Sequence, residues 1–338
     1  YNSCWHLNKI QASLAWDIGT GNSSITVAIV DDAVQRTHPD LNNVIWNNLL
    51  EIPNNGIDDD NNGYIDDYNG WDVADNDNNT NPPNTNLDHG THVAGIAGAH
   101  TNNNIGVSSI GYGISIIPVK ATRDNNLNGT INNAYDGVYY AALNNADIIN
   151  CSWGGSYYSQ TNNNIIQSAI NNGSIIVASA GNSNVNLGSS PRYPSCYNGV
   201  ICVANTTQSD IKRSSSCYGT RVDISAPGTS ILSTVPFSQY DTKTGTSMSA
   251  PMVAGLLGLM KSFSPNSSNE QLINCMKSSC DNIDALNPSY AGLLGSGRIN
   301  AYQALLCLSP PSADFFIRVE DSCSGEIQFS YDTLGIPN

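Results

Sequence analysis

The sequence predicts an α/β fold: a doubly wound, mostly parallel β-sheet with helices on both faces, followed by a short C-terminal β extension. Three observations lead there. Short apolar, β-rich runs recur along the chain, stretches with helical spacing separate them, and the texture changes after Leu306. The runs are ITVAIV (25–30), ISIIPV (114–119), ADIINCS (146–152), SIIVASA (174–180), VICVA (200–204) and VDISA (222–226). Runs this apolar suit strands buried on both faces, as in parallel sheets. Between them a helix is predicted from a cap at Thr130, with Ile131, Ala134, Tyr135, Val138, Ala141 and Ala142 on one face. Another is predicted over 161–172 and stopped by Gly173. Active sites of such sheets gather at the carboxyl ends of the strands.

Beyond Leu306, PPSADFF reads as a linker and IRVEDSCSGEIQFSYDTLGIPN as two strands and a turn. Two strands are not a stable domain alone. The expected division is therefore a main domain over 1–308 and, over 309–338, a linker with the start of a truncated β-domain. The alternative is a strand pair docked on the main domain.

Composition narrows the function. The chain has 338 residues and a net charge of -15. Nucleic acid is excluded as a partner, because phosphate binding needs a basic patch. Clustered carboxylates suit Ca²⁺. No apolar run approaches the roughly 20 residues of a membrane-spanning helix. No signal peptide stands at Tyr1, as in a cytosolic or an already processed chain. The nine Cys lack paired CxxC spacing, which argues against zinc. Cys4, Cys196, Cys217 and Cys280 lie in polar stretches, a usage that leans towards an oxidising compartment.

Four motifs carry chemistry. VAIVDDAV ends an apolar strand at Asp31, where a carboxylate either orients a His or, with Asp32, caps a turn. DHGTHVAGIAGAH starts a small-residue helix at His89, and its HxxH lacks the Glu and the spacing of a metalloprotease helix. His89 is then a general base facing a cleft or, like His92, a packed His. ASAGNS presents Asn182 after a strand, as an oxyanion donor or a turn residue. GTSMSAPMVAGLLGLM sets Ser247 at the start of a buried helix, as a nucleophile or a small packing residue. Pro251 stands early in that helix, where its missing N–H matters least.

Taken together these give Asp31, His89, Asn182 and Ser247 in chain order, and Asp-His-Ser is the triad order of subtilisin. VAIVDDAVQRTHPDL, HGTHVAG, INCSWGG, SAGNS, DISAPGT and GTSMSAPMVAG resemble, in order, the motifs of the subtilisin-like serine proteases (subtilases), over roughly residues 5–305. The resemblance implies a secreted serine endopeptidase that cleaves protein or peptide substrates through an acyl-enzyme. It also implies a monomer without a membrane span, folded with its own pro-segment. Ser247 is the implied nucleophile, His89 the base and acid, Asp31 the orienting carboxylate. Asn182 and the Ser247 N–H form the implied oxyanion hole. Ser152, Trp153, Gly154 and Gly155 (SWGG) resemble the edge that pairs with substrate backbone. Arg192 falls near the first specificity pocket of relatives, either selecting acidic side chains or lying solvated. Asp32 and Ala33 depart from the family's small residue and Gly. Adjacent strand positions point opposite ways, so a change in local electrostatics is expected. A silent scaffold, or an esterase or peptide ligase, would be other uses of the fold; filled chemical positions argue against the first.

Calcium is the expected cofactor, at two or more structural sites. In NNGIDDDNNGYIDD, counting from Asp58, the residues Asp58, Asp60 and Asn62 fall at positions 1, 3 and 5. Gly63 follows, Tyr64 offers a carbonyl at 7 and Asp66 stands at 9, the spacing of an EF-hand-type loop. Asn69 at position 12 rules out a true EF-hand; a merely acidic loop is the alternative. The resemblance implies a second site from Asp40, the Asn103 amide and the carbonyls of Thr101, Ile105 and Val107. Cys151 is expected to be a buried free thiol, with Cys196–Cys217 and Cys275–Cys280 as candidate bridges. SADFF, the Cys323 region and IQFSYD resemble the opening of a polycystic-kidney-disease-type (PKD) β-sandwich, of a kind that assists binding to insoluble substrates.

Overall fold

The computed structural model describes residues 4–126 and 128–309, and the backbone of two strands at 314–318 and 328–332. The chain forms two compact units, Tyr1–Cys307 and Leu308–Asn338. In the first, seven strands make one sheet: β1 (Thr26–Asp31), β2 (Trp71–Asp72), β3 (Ser115–Lys120), β4 (Ile148–Cys151), β5 (Ile175–Ser179), β6 (Ile201–Thr206) and β7 (Ile224–Pro227). Their order is β2-β3-β1-β4-β5-β6-β7 and every pairing is parallel. Each residue of these strands is buried, which is why β1 and β3 to β7 read as short, mostly apolar runs; the two-residue β2 was not expected. From β1 the chain builds β2 and β3 on one side and β4 to β7 on the other. The carboxyl end of β1, at Asp31, is thus a topological switch point.

The helices are α1 (Trp5–Lys9), α2 (Ala12–Ile18), α3 (His89–Gly98), α4 (Ala134–Leu143), α5 (Gln160–Asn171), α6 (Thr246–Phe263), α7 (Asn269–Ser278) and α8 (Ala301–Leu308). α4 and α5 pack on each other and on one face of the sheet, while α3 and α6 contact each other and the strands as well. α4 starts at Ala134 and not at Thr130, because the Thr130 carbonyl is held in a loop by Thr122 Oγ1 and Asn126 Nδ2. α5 begins after a Ser159 cap that accepts from Asn162 N–H, and Gly173 follows it at φ +100°. α3 meets α6 backbone to side: a Cβ on Gly255 would lie 2.5 Å from the Ala97 carbonyl. A further hairpin, β8 (Ile231–Val235) and β9 (Gln239–Lys243), leads into α6.

Pro251 is the sixth residue of α6, so the expectation that its missing N–H goes unnoticed is corrected. An N–H at 251 would bond the Ser247 carbonyl. That carbonyl accepts instead from Ser152 Oγ, 2.9 Å away.

The expected cysteine pairings are also corrected. Cys275 of α7 bridges to Cys307 of α8. The Cys280 thiol turns back to the Met276 carbonyl. Cys196 and Cys217 stay free and buried in an apolar cluster with Cys202, the first near Arg192 N–H and the second beside Ser183 Oγ. Cys151 is a buried free thiol. In the second unit, β10 (Asp314–Arg318) and β11 (Gln328–Asp332) pair antiparallel, from Asp314 opposite Asp332 to Arg318 opposite Gln328. Cys323 lies outside the described residues.

Candidate active site

Three strand ends and two helix starts supply the site. β1 ends in Asp31, β4 runs into Ser152, and β5 runs into Gly181 and Asn182. α3 begins at His89, and α6 places Ser247 in its first turn. Asp31 Oδ1 lies 2.7 Å from His89 Nδ1. The carboxylate is fully buried, whereas the ring is 31% exposed, so the base can be reached while its partner stays dry. Burial works against a charged imidazole here, but the Asp31 and Asp32 carboxylates outweigh it and raise the His89 value. Among the described residues the other Asp31 oxygen, Oδ2, is buried without a partner.

Ser247 Oγ donates to the Ser152 carbonyl at 3.0 Å, and no hydrogen bond joins it to His89 among the described residues. Such contacts often tighten only when substrate is bound. The Asn182 side chain has a fixed sense. Its Oδ1 accepts from Thr246 N–H at 2.9 Å and from Thr246 Oγ1 at 3.1 Å, which leaves Nδ2 free to donate. Sequence reasoning missed Thr246, although it adjoins the nucleophile. The Ser247 N–H is an early orphan of α6.

A family model described as the Subtilase family matches residues 22–297. The chain belongs to the subtilases. It is 39% identical over 297 residues to thermitase of Thermoactinomyces vulgaris, covering 88% of this chain and 94% of that one. It is 33% identical over 300 residues to subtilisin BL of Lederbergia lenta, covering 89% and 97%. A solved structure of a protease from Pseudoalteromonas arctica PAMC 21717 matches with a TM-score of 0.74 at 27% identity, over 91% of this chain and 98% of that one. This subtilase is a serine endopeptidase by family, and none of its helices among the described residues is long and apolar enough to cross a membrane.

Around the subtilase centre, several expected residues sit differently. Gly155 exchanges both backbone hydrogen bonds with Tyr193, at 2.8 and 2.7 Å, so it cannot pair with a substrate through them. Trp153 Nε1 donates to the Val30 carbonyl at 2.9 Å, and Gly154 packs on the Tyr193 carbonyl, 2.9 Å from where a Cβ would stand. A cleft of about 540 Å³ opens here, lined by Thr130, Tyr135, Trp153, Gly154 and Gly155 among others. Arg192 Nη2 donates to Ser183 Oγ at 3.2 Å, and Nη1 to the Pro191 carbonyl at 3.3 Å. His92 is a packed His, with Nε2 3.0 and 3.1 Å from the Ile231 and Asp241 carbonyls.

Asp32 is the larger surprise. β1 ends at Asp31, so strand alternation no longer governs Asp32. Its carboxylate turns to the start of α3 and accepts from His89 N–H at 3.1 Å and Gly90 N–H at 2.7 Å. Burial, then the Asp31 charge, push its carboxyl up.

In the acidic loop the oxygens of Asp58 and Asp60 converge with Glu51, a residue that spacing could not reveal. Asp66 is turned away, accepting from Asn55 and Gly56 N–H. Asn62 Oδ1 accepts from Tyr64 N–H, and its Nδ2 faces Asp60 and Asp67. At the second expected site Asp40 is buried. Its oxygens accept from Asn103 Nδ2 at 2.6 Å and Val107 N–H at 2.8 Å, and Asn103 Oδ1 accepts from Ile105 N–H. The Thr101 hydroxyl faces the Ala99 and Ser109 carbonyls. A third acidic group, Asp72, Asp75 and Asp124, surrounds the buried Lys120 ammonium.

Proposed function

We propose that this chain is a secreted, calcium-stabilised endopeptidase whose triad is Ser247, His89 and Asp31. The hydrogen bond of His89 to Asp31, beside an Asn182 amide pinned by Thr246, is the observation that carries the reading. An extended peptide lies along Ser152–Gly154 with its side chains in the adjoining cleft. The Ser247 hydroxyl turns from the Ser152 carbonyl to His89 Nε2 and gives up its proton there as Oγ attacks the scissile carbonyl. Asn182 Nδ2 and the Ser247 N–H receive the oxyanion. Asp31 stabilises the imidazolium, which then protonates the leaving amine. Water, deprotonated by the same ring, releases the acyl group. A fluorophosphonate should label Ser247 in the native protein and leave Ser247→Ala unlabelled; labelling elsewhere, or activity in Ser247→Ala, refutes the assignment.

Arg192 has no carboxylate partner among the described residues, and its guanidinium reaches Ser183, next to Asn182. It gives the first specificity pocket a preference for acidic side chains. A peptide library cut without enrichment of Glu or Asp before the scissile bond contradicts this.

Hard oxygen donors suit Ca²⁺, and Glu51, Asp58 and Asp60 meet that requirement with oxygens within 4.8 Å of one another. They would hold one ion, with the Tyr64 carbonyl and Asn62 as neighbours in the loop. Asp40, with the carbonyls of Thr101, Ile105 and Val107, would hold another once the Asn103 amide turns its oxygen inward. Bound calcium would neutralise these carboxylates and order their loops. EDTA should lower the melting temperature and speed autolysis, and an unchanged melting curve would count against both sites. Secretion, a removable pro-segment, a monomeric state and a PKD-like C-terminal region complete the proposal.

A further inference from the structure

α3 has an unusual start. The residue before it, Asp88, makes no capping bond, and its carboxylate pairs with Lys243 of β9 at 2.7 Å. The first N–H groups of a helix still need acceptors. Asp32 supplies them from the end of β1: Oδ2 takes His89 N–H, and Oδ1 takes Gly90 N–H at 2.7 Å together with Ala33 N–H at 2.6 Å. Asp32 is 2% exposed, so water does not compete for these bonds. Gly90 permits the approach: a Cβ there would lie 2.5 Å from the Ala33 carbonyl and 2.8 Å from Asp31 Cβ. Two consecutive carboxylates therefore grip one residue. Asp31 holds the His89 ring, and Asp32 holds the His89 main chain.

We propose that Asp32 is a positioning residue of the triad, fixing His89 against Asp31 through the first turn of α3 and adding its charge to that of Asp31. It touches no reacting atom. The inference rests on the triad assignment above. Among the described residues the titratable or charged groups facing this pair come from several elements, the first being His92 of α3 itself, pushed down to about 3 by burial and then by His89. Asp31 comes from β1, Cys151 from β4 with its thiol raised by burial, and Lys243 from β9, already paired with Asp88. Lys120, beside Asp31 in β3, is surrounded by Asp72, Asp75 and Asp124. With both carboxylates ionised, the protonated imidazole is favoured, so the neutral, active His89 appears only at higher pH.

The test compares the parent with Asp32→Asn and Asp32→Ser, using a fluorogenic peptide across pH and a melting curve at each step. Asn keeps one acceptor and loses the charge; Ser is also too short to reach both N–H groups. Expected are a kcat loss of about tenfold for Asn and more for Ser, with KM within about twofold. The acid limb of kcat/KM should fall by about one pH unit in both. A profile and kcat matching the parent, or a change in KM alone, overturns the inference even if the melting temperature drops. Should neither variant fold, the low-field resonance of the His89 Nδ1 proton in the parent decides. Its titration above the ordinary imidazole value of about 6.5 is expected, and titration at or below that value overturns the proposal. Ser247→Ala is the control: activity there removes the triad assignment, while an inert control beside unchanged Asp32 variants removes only the role of Asp32.

Discussion

Ser152→Ala probes how the nucleophile's helix tolerates a proline in its sixth position. The Ser247 carbonyl has lost the N–H that residue 251 would supply, and Ser152 Oγ fills the gap at 2.9 Å. Ser152 is 4% exposed, so water cannot replace the hydroxyl without rearrangement. The hydroxyl also accepts from Asn150 Nδ2 at 3.0 Å. Its removal leaves one buried acceptor and one buried donor short of a partner, a cost of about 2–3 kcal/mol. Pro251→Ala restores a donor to the same carbonyl. The double variant Ser152→Ala/Pro251→Ala should therefore be more stable than the sum of the single effects by about 1 kcal/mol. All variants would be made on Ser247→Ala, which prevents self-digestion and affects each member alike. Thermal unfolding followed by circular dichroism should place Ser152→Ala about 4–6 °C below its parent, at roughly 2 °C per kcal/mol for a domain of this size. An unshifted Ser152→Ala, or a double variant that is simply additive, refutes the reasoning.

Thr246→Val removes one of the two hydrogen bonds that orient Asn182, and kcat should fall by up to about tenfold with KM unchanged. Asn182→Ala should lose roughly 10²–10³-fold in kcat, the magnitude known for the corresponding amide of subtilisin; equal losses for the two would contradict a purely orienting Thr246. The Cys275–Cys307 bridge, with a sequence separation of 32, should contribute about 3–4 kcal/mol through the unfolded chain. Replacing both cysteines by Ser should lower the melting temperature accordingly, and an unchanged curve would count against the bridge. Burial pushes His6 and His92 down to about 3, whereas the unfolded imidazoles protonate below 6.5. The unfolded state then binds more protons, so stability falls with pH from about 6.5 towards 3, by up to about 1.4 kcal/mol per unit for each ring. His6→Gln should flatten that slope in an acid unfolding series.

Six strands of the sheet, β1 and β3 to β7, were legible because each is buried along its length and so is mostly apolar, as VAIV in β1 shows, whereas the two-residue β2 and the polar, partly exposed β9 of the hairpin carried no such signal. The segments that bear Asp31, His89, Asn182 and Ser247 were legible for a related reason. Each stands where an apolar strand or a small-residue helix meets the same end of the sheet. The start of α4 was not legible, since the loop bonds of the Thr130 carbonyl outweigh a good local capping residue. Glu51 escaped because it lies outside the loop whose spacing announced Asp58 and Asp60, and only folding brings it to them.

By itself, then, the sequence determined the αβ alternation, the order of the chemical groups and the acidic loop, all of which are carried by residues near one another in the chain. Tertiary structure alone decided that Asp32 holds the helix of His89. It also decided that Ser152 makes good the missing N–H of Pro251, that Cys275 meets Cys307, and that Gly155 pairs with Tyr193. Each of these joins groups from separate segments. Periodicity and local spacing report which face a residue turns to the core, and they do not report which distant donor, acceptor or thiol waits there.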